Sequence, residues 1–396
     1  MRVVVVGAGI GGLAAAVALH RRGADVVVFE RFSTTKHGSG VALSLWPNAL
    51  RALDELGVGD LVRARSALGG DSGVRRRDGS WLARSQLGSA IRERFGDPLV
   101  IVRRALLVDA LEAQLPRGTV RSGRTVHTVT HGSATVSATV HCDDHASDSA
   151  DVVVGADGIR SAVRSAVFPD AAVPRYAGYT AWRMIVPTTS ADSFETWGGE
   201  GERFAVLPLG DGHAYCYATA ALPARTRFPS EVDELRRRFG RWHEPVASIV
   251  ASLSPFSPSD VIRSDVEELP ALASMARQRV ALVGDAAHAM TPDLGQGGCQ
   301  ALEDAVELAH HLDGAADIIG ALRAYSQARL PRTTAIARRS HQAGRLYQRS
   351  GTVQHVAARL MGAMPASWIV RGLDAVVDWR PASAAHRDAG GADSDR

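Results

Sequence analysis

Several things are scarce in this sequence, and each scarcity excludes a class of protein. It has three cysteines, Cys142, Cys216 and Cys299, far apart and odd in number. No disulfide framework or zinc spacing follows, and a reducing, cytoplasmic setting is expected. Its 14 histidines form no HExxH-type pair and no His/Cys cluster, so no metal site is expected. No segment approaches 18 uncharged apolar residues, so no transmembrane span is expected. The opening apolar run is four valines closed by glycines, which reads as a strand rather than a signal peptide. Basic residues come only in short runs such as Arg75-Arg76-Arg77, so the net charge of +3 describes an arginine-rich surface and not a nucleic-acid stripe. The amphipathic stretch "LMGAMPASWIVRGLDAVVDW" near the C-terminus is expected to pack onto the domain rather than to meet a membrane.

With 396 residues the chain is too long for one hydrophobic core. Residues 2–30 read as strand, helix, strand: "RVVVV", then "GGLAAAVALHRRG", then "DVVVFE". "HGSGVALSLWPNALRALDELGV" runs from a Gly-rich loop into a helix with Pro47 in its first turn. Asp78-Gly79 marks a hairpin, "RRALLVDALEAQL" a helix, and 119–154 alternating strands. Residues 175–265, rich in aromatics and β-formers, read as a second, mostly antiparallel sheet with one helix, "SEVDELRRRFGRWH". Strand-turn-helix returns at 278, and 320–379 is helical. The fold class is therefore α/β: a Rossmann-like domain in three pieces (1–70, 100–175 and 270–340), an inserted sheet domain (71–99 and 176–269) and C-terminal helices (341–380). The small, polar tail 381–396 is expected to be disordered.

Three glycine-bearing turns carry the chemistry. In "GAGIGG", Gly7, Gly9 and Gly12 follow a strand and open a helix, and Glu30 ends the next strand. Gly7 allows a tight turn, Gly9 lets backbone approach a pyrophosphate, and Gly12 lets helix and strand pack closely. The helix N-terminus offers free N–H groups to phosphates, and the acid suits an adenosine ribose. The second turn, "GADGIRSAVR", contains Asp157 and Gly158; Gly158 is free to take a positive φ, and Asp157 is equally suited to cap the next helix. In the third, "VALVGDAAHAMTPDLGQGGCQALEDA", Asp285 ends an apolar strand where its carboxylate suits a polyol hydroxyl. Pro292 stiffens the loop, and Gly295, Gly297 and Gly298 clear a surface for a flat ring at a helix N-terminus. A nicotinamide dinucleotide would not need this distant second site; a flavin with a ribityl chain would.

These three motifs, in order, resemble those of the FAD-dependent aromatic hydroxylases, the p-hydroxybenzoate hydroxylase-like group A flavoprotein monooxygenases, over about residues 1–345. The resemblance implies non-covalent FAD, with NADPH or NADH as a transient co-substrate and O2 as oxidant. Gly7, Gly9, Gly12, Glu30 and its neighbour Arg31 would hold the adenosine diphosphate half, and Arg104 matches an arginine that contacts FAD. Asp157 and Gly158 match a motif implicated in FAD and NADPH binding, Asp285 would hold the ribityl chain, and Pro292 to Gly298 would face the isoalloxazine. It further implies hydroxylation of an electron-rich aromatic or heteroaromatic small molecule through a flavin C4a-hydroperoxide. A reductase or desaturase without oxygen insertion, a polyene epoxidase and a non-catalytic flavin-binding partner stay open, as do the substrate and the oligomeric state. For substrate contact the candidates are Arg203 as an anion fork, Tyr215 as a hydrogen-bonder to a phenol or enol oxygen and Asp293 as proton acceptor, with Trp182 and Arg183 behind them.

Overall fold

The computed structural model describes residues 1–33, 41–65, 67–68, 72–143, 146–188, 192–254, 261–349 and 351–382. The Gly-rich loop expected at 37–40 and the tail expected to be disordered, from residue 383 on, lie outside the described residues. A six-stranded sheet runs in the order Ala276–Arg277, Val280–Leu282, Val152–Gly155, Arg2–Val6, Asp25–Glu30 and Val120–Ser122. All its pairings are parallel except the outermost one, between the first two of these strands. Parallel strands are covered on both faces, and the β-branched runs fit that: Val3, Val4, Val5, Val152, Val153 and Val154 are fully buried. The Ile10–His20 helix packs its Ala- and Leu-rich length against this sheet and against the Gly297–Leu312 helix.

A second sheet has seven strands in the order Val261–Glu268, Arg175–Pro187, His213–Ala220, Glu202–Pro208, Ser193–Gly199, Ser72–Arg75 and Trp81–Ser85. Its pairings are antiparallel except where Ser193–Gly199 meets Ser72–Arg75. Alternation assigns its faces. Trp182, Met184, Phe204, Val206 and Cys216 form a core under the Glu231–Phe239 and Val246–Ser252 helices. Tyr179, Arg183, Ile185, Arg203 and Tyr215 alternate with them and point to the other face, towards the first sheet's domain. The hairpin expected at Asp78-Gly79 is present, with Gly79 at φ +86°. The helix beginning at Pro47 is also present.

The helices Gly297–Leu312 and Ile318–Tyr347 enclose a charged cluster with almost no solvent contact. Arg329 is 1% exposed, and Glu303 and Asp304 are fully buried. Arg329 donates to Glu303 Oε2 at 2.6 Å and to Asp304 Oδ1 at 2.7 Å. Glu303 also accepts from Asn48 Nδ2 at 2.6 Å and from Arg332 Nε at 2.7 Å. Asp304 accepts the Gly284 N–H at 2.9 Å and lies 2.5 Å from His288 Nε2. Burial alone would push the Asp304 carboxyl up, but His288, Arg329 and the Gly284 N–H outweigh it and hold it down to about 2. Arg329→Met would leave two buried carboxylates short of a cation. Removing one partner of such a pair costs about 3–5 kcal/mol. A urea titration should show that loss, and a destabilisation under about 1 kcal/mol would show that the cluster does not hold these helices.

Candidate active site

Three strands of the parallel sheet, Arg2–Val6, Val152–Gly155 and Val280–Leu282, are adjacent and end at the same edge, so the three glycine turns leave it side by side. In α/β sheets that edge is where ligands bind. The first two turns abut. Gly7 has φ +104°, and a Cβ there would lie 2.5 Å from the Ala156 carbonyl oxygen. A Cβ on Gly12 would lie 1.9 Å from the Gly7 carbonyl oxygen, so no side chain fits where the helix starts over the turn. Above Gly9 the space is open, the nearest atom to a Cβ there being Arg104 Nη2 at 4.0 Å. The helix begins at Ile10 with no side-chain cap on Gly9, which leaves first-turn N–H groups facing that space.

A cavity of about 320 Å³ lies over these turns, lined among others by Gly7, Gly9, Glu30, Arg31, Arg104, Asp157 and Gly158. Glu30 already accepts the Ala8 N–H at 2.8 Å and the Phe32 N–H at 3.0 Å, which ties the strand end to the glycine turn. Arg104 carries a guanidinium whose charge is disfavoured by burial and favoured by Glu30 and Asp285, and it makes no hydrogen bond among the described residues. Asp157 acts as a cap. It accepts from Ser161 Oγ and, at 3.1 Å, from the Val163 N–H, while Ser161 caps the Ala162–Val167 helix. Gly158 has φ +83° with open space beside it. Arg164 donates to the Ala286 carbonyl at 3.0 Å and so fastens the second turn to the third.

Asp285 is open to the cleft yet enclosed by protein on most sides. Burial pushes its carboxyl up, against the pull of His288, Arg104 and Arg183. It too makes no hydrogen bond among the described residues. Pro292 opens a short 3-10 turn, Pro292–Leu294, and Gly295 ends it at φ +63°. Gly297 begins a 16-residue helix with no side-chain cap, and a Cβ on Gly297 would meet nothing within 4 Å. Trp46 Nε1 and Gln296 Nε2 are buried at this turn without a partner among the described residues. Buried donors are rarely left unpaired, so the turn is shaped for more than its own chain. Open glycine surface, an uncapped helix N-terminus, a free carboxylate and a free guanidinium in one cleft fit an FAD.

Of the substrate candidates, Trp182 faces away. It is fully buried under the helices and donates to Glu231 Oε2 at 2.7 Å, because Trp182 and Arg183 alternate across the sheet. Arg203 and Asp293 come together, but with each other. Arg203 is buried, donates to Asp293 Oδ1 at 2.9 Å, lies 3.3 Å from Glu195 Oε1 and stacks 4.1 Å from the Tyr347 ring centroid. Its guanidinium is thus engaged on several sides rather than presented as an empty fork. Asp293 also accepts the Tyr179 hydroxyl at 2.6 Å. Tyr215 and Arg183 are half-buried on the same face, and neither side chain has a hydrogen-bond partner among the described residues. Burial pushes the Tyr215 hydroxyl up. Ile185, Leu207 and Leu209 pack around Tyr215. Glu195, which braces Arg203, was not among the sequence candidates; its place in the exposed-looking segment "FETW" gives no sign of it.

Residues 1–340 match the model of the FAD binding domain family. The chain is 34% identical over 354 residues to aurachin C monooxygenase/isomerase of Stigmatella aurantiaca, covering 88% of this chain and 90% of that one. It is 36% identical over 360 residues to 3-amino-4-hydroxybenzoate 2-monooxygenase of Streptomyces cremeus, covering 86% of each. The crystal structure of Klebsiella pneumoniae HpxO complexed with FAD and uric acid superposes with a TM-score of 0.85 at 31% identity, over 94% of this chain and 95% of that one. The three turns, the fold that aligns them and these similarities agree: the chain belongs to the FAD-dependent aromatic hydroxylase family.

Proposed function

We propose that this protein is a single-component monooxygenase that uses NAD(P)H and O2 to hydroxylate an electron-rich aromatic or heteroaromatic small molecule. The substrate lies between the seven-stranded sheet and the Pro292–Gly298 turn. The observation that carries the reading is a run of neighbouring charged and polar groups whose side chains have no hydrogen-bond partner among the described residues. Arg104 and Asp285 are on the dinucleotide side, Tyr215 and Arg183 on the sheet side. The relatives named aurachin C monooxygenase/isomerase and 3-amino-4-hydroxybenzoate 2-monooxygenase, and the neighbour holding uric acid, support the substrate class.

FAD, when bound, supplies the redox chemistry and the activation of oxygen. The protein supplies place and charge. Asp285 holds ribityl hydroxyls, and the helix N-terminus at Gly297 offers partial positive charge to the electron-rich edge of the ring. Tyr215 hydrogen-bonds a phenol or enol oxygen of the substrate. Ile185 and Leu207, packed around Tyr215, would keep water from this side of the site. Asp293 accepts the substrate proton, directly or through water, and so enriches the ring to be attacked. Arg203 acts through Asp293: its 2.9 Å hydrogen bond fixes the place of that carboxylate, which makes it a positioning residue.

Three outcomes check these roles. Asp285→Ala removes charge-assisted hydrogen bonds worth about 1.5–3 kcal/mol, so the FAD dissociation constant should rise by about one to two orders of magnitude. Unchanged FAD affinity by fluorescence titration would reduce Asp285 to a loop residue. Asp293→Ala should lower kcat/KM for hydroxylation about 100-fold with FAD still bound, as expected for loss of a general base. In Arg203→Ala and Tyr215→Phe, consumed NAD(P)H should appear increasingly as H2O2. Native coupling and KM in all three variants would put the substrate elsewhere.

A further inference from the structure

The C-terminal helices are apolar on the wrong side. The Gly351–Ala363 helix lies on the Trp81–Ser85 strand with a face of small residues. Ala358 is fully buried, and a Cβ on Gly362 would sit 2.7 Å from Ala83 Cβ. Roughly opposite that face, at helical spacing, stand Val353, Val356 and Leu360. Met364, just after this helix, and Trp368, in the Ala366–Gly372 helix, are exposed as well. These five are 43–65% exposed and make up half of the ten large apolar side chains exposed among the described residues. The amphipathic stretch expected to pack inward does so through Val370, Val376, Val377 and Trp379, while Leu360, Met364 and Trp368 stay exposed. Exposed apolar side chains gathered in one short stretch of the chain mark an interaction surface.

Charge indicates what covers it. Between Asp317 and Asp374 the sequence has nine arginines and no acidic residue, whereas the other 340 residues carry 36 basic and 42 acidic side chains. Arg329 and Arg332 are spent in the buried cluster. Arg345, Arg359 and Arg371 are exposed, with Arg359 next to Leu360 and Arg371 one turn beyond Trp368. A second copy docking by two-fold symmetry would bring this patch against itself and set arginine against arginine. An anionic bilayer surface answers both features: apolar side chains enter the headgroup boundary, Trp368 sits at its level, and the arginines meet lipid phosphates. No described helix is long and apolar enough to cross a membrane, so the contact is peripheral. We propose that the outer face of residues 353–371 docks this protein onto an anionic lipid surface.

The test is co-sedimentation of the purified full-length protein with phosphatidylcholine vesicles, with and without phosphatidylglycerol. Binding should require phosphatidylglycerol and fall when ionic strength is raised to about 0.5 M. Arg359→Glu should weaken it about tenfold or more. Leu360→Asp with Trp368→Ser should abolish it, while flavin content and circular dichroism stay native. No binding to phosphatidylglycerol vesicles would overturn the proposal, as would binding that the paired substitution leaves intact. Sedimentation velocity supplies a further contradiction: if Leu360→Asp splits an oligomer into monomers, the face belongs to a second copy of the chain.

Discussion

The charge of Arg329 has to be neutralised where it stands, because no water reaches it. Glu303 and Asp304 do so from the middle of the Gly297–Leu312 helix. Their remaining oxygens are then obliged to find donors. Asp304 takes the Gly284 N–H and His288, which fixes the turn that presents Asp285. Glu303 takes Asn48, which fixes the start of the Pro47–Glu55 helix, and Arg332, whose guanidinium also reaches the carbonyls of Ala375 and Val376. One buried cation thus sets the angle of the Gly297–Leu312 helix, and with it the direction of that helix's uncapped N-terminus. Replacing the cluster with well-packed apolar side chains could keep the fold stable. It would not keep the third turn in register with the other two.

That register matters because the cleft is assembled from separate parts of the chain. The parallel sheet brings the turns at Gly7, Asp157 and Asp285 to one edge, and Arg164 laces the second to the third. The second sheet closes over them through Arg203 and Tyr179, which both reach Asp293 in the third turn. So the same carboxylate that receives the substrate's proton in the proposed reaction also joins the two halves of the molecule. A buried arginine holds that carboxylate in place, and Glu195 and the Tyr347 ring hold the arginine from behind. The groups without partners, Arg104, Asp285, Arg183 and Tyr215, are spread along the cleft between these fixed points.

Much of this was legible because it is local. Valine runs, a positive-φ glycine and a helix opening after a strand are short-range physics, and the three turns can be read from spacing alone. What spacing cannot show is which charges pair across the chain. Arg203 read as an anion fork, but its partners are Glu195 on the neighbouring strand and Asp293, 90 residues away. Glu303 and Asp304 stood in plain view as adjacent acids in an apolar helix, a sign of a buried cation, but the cation lies on the next helix. Trp182 and Arg183 differ by one position, and only the sheet's pairing tells which of them meets the cleft. The C-terminal stretch was amphipathic by pattern, and the pattern could not say which apolar side chains would pack, as Val370, Val376 and Val377 do, and which, like Leu360 and Trp368, would stay exposed.

The account stands on one central claim: that the aligned turns form a non-covalent FAD site. The most direct measurement is the identity and stoichiometry of flavin freed when the purified protein is denatured. One FAD per chain, entirely in the supernatant, is the predicted result. FMN in its place, flavin retained on the precipitated protein, or a chain that takes up no FAD when it is supplied would contradict it.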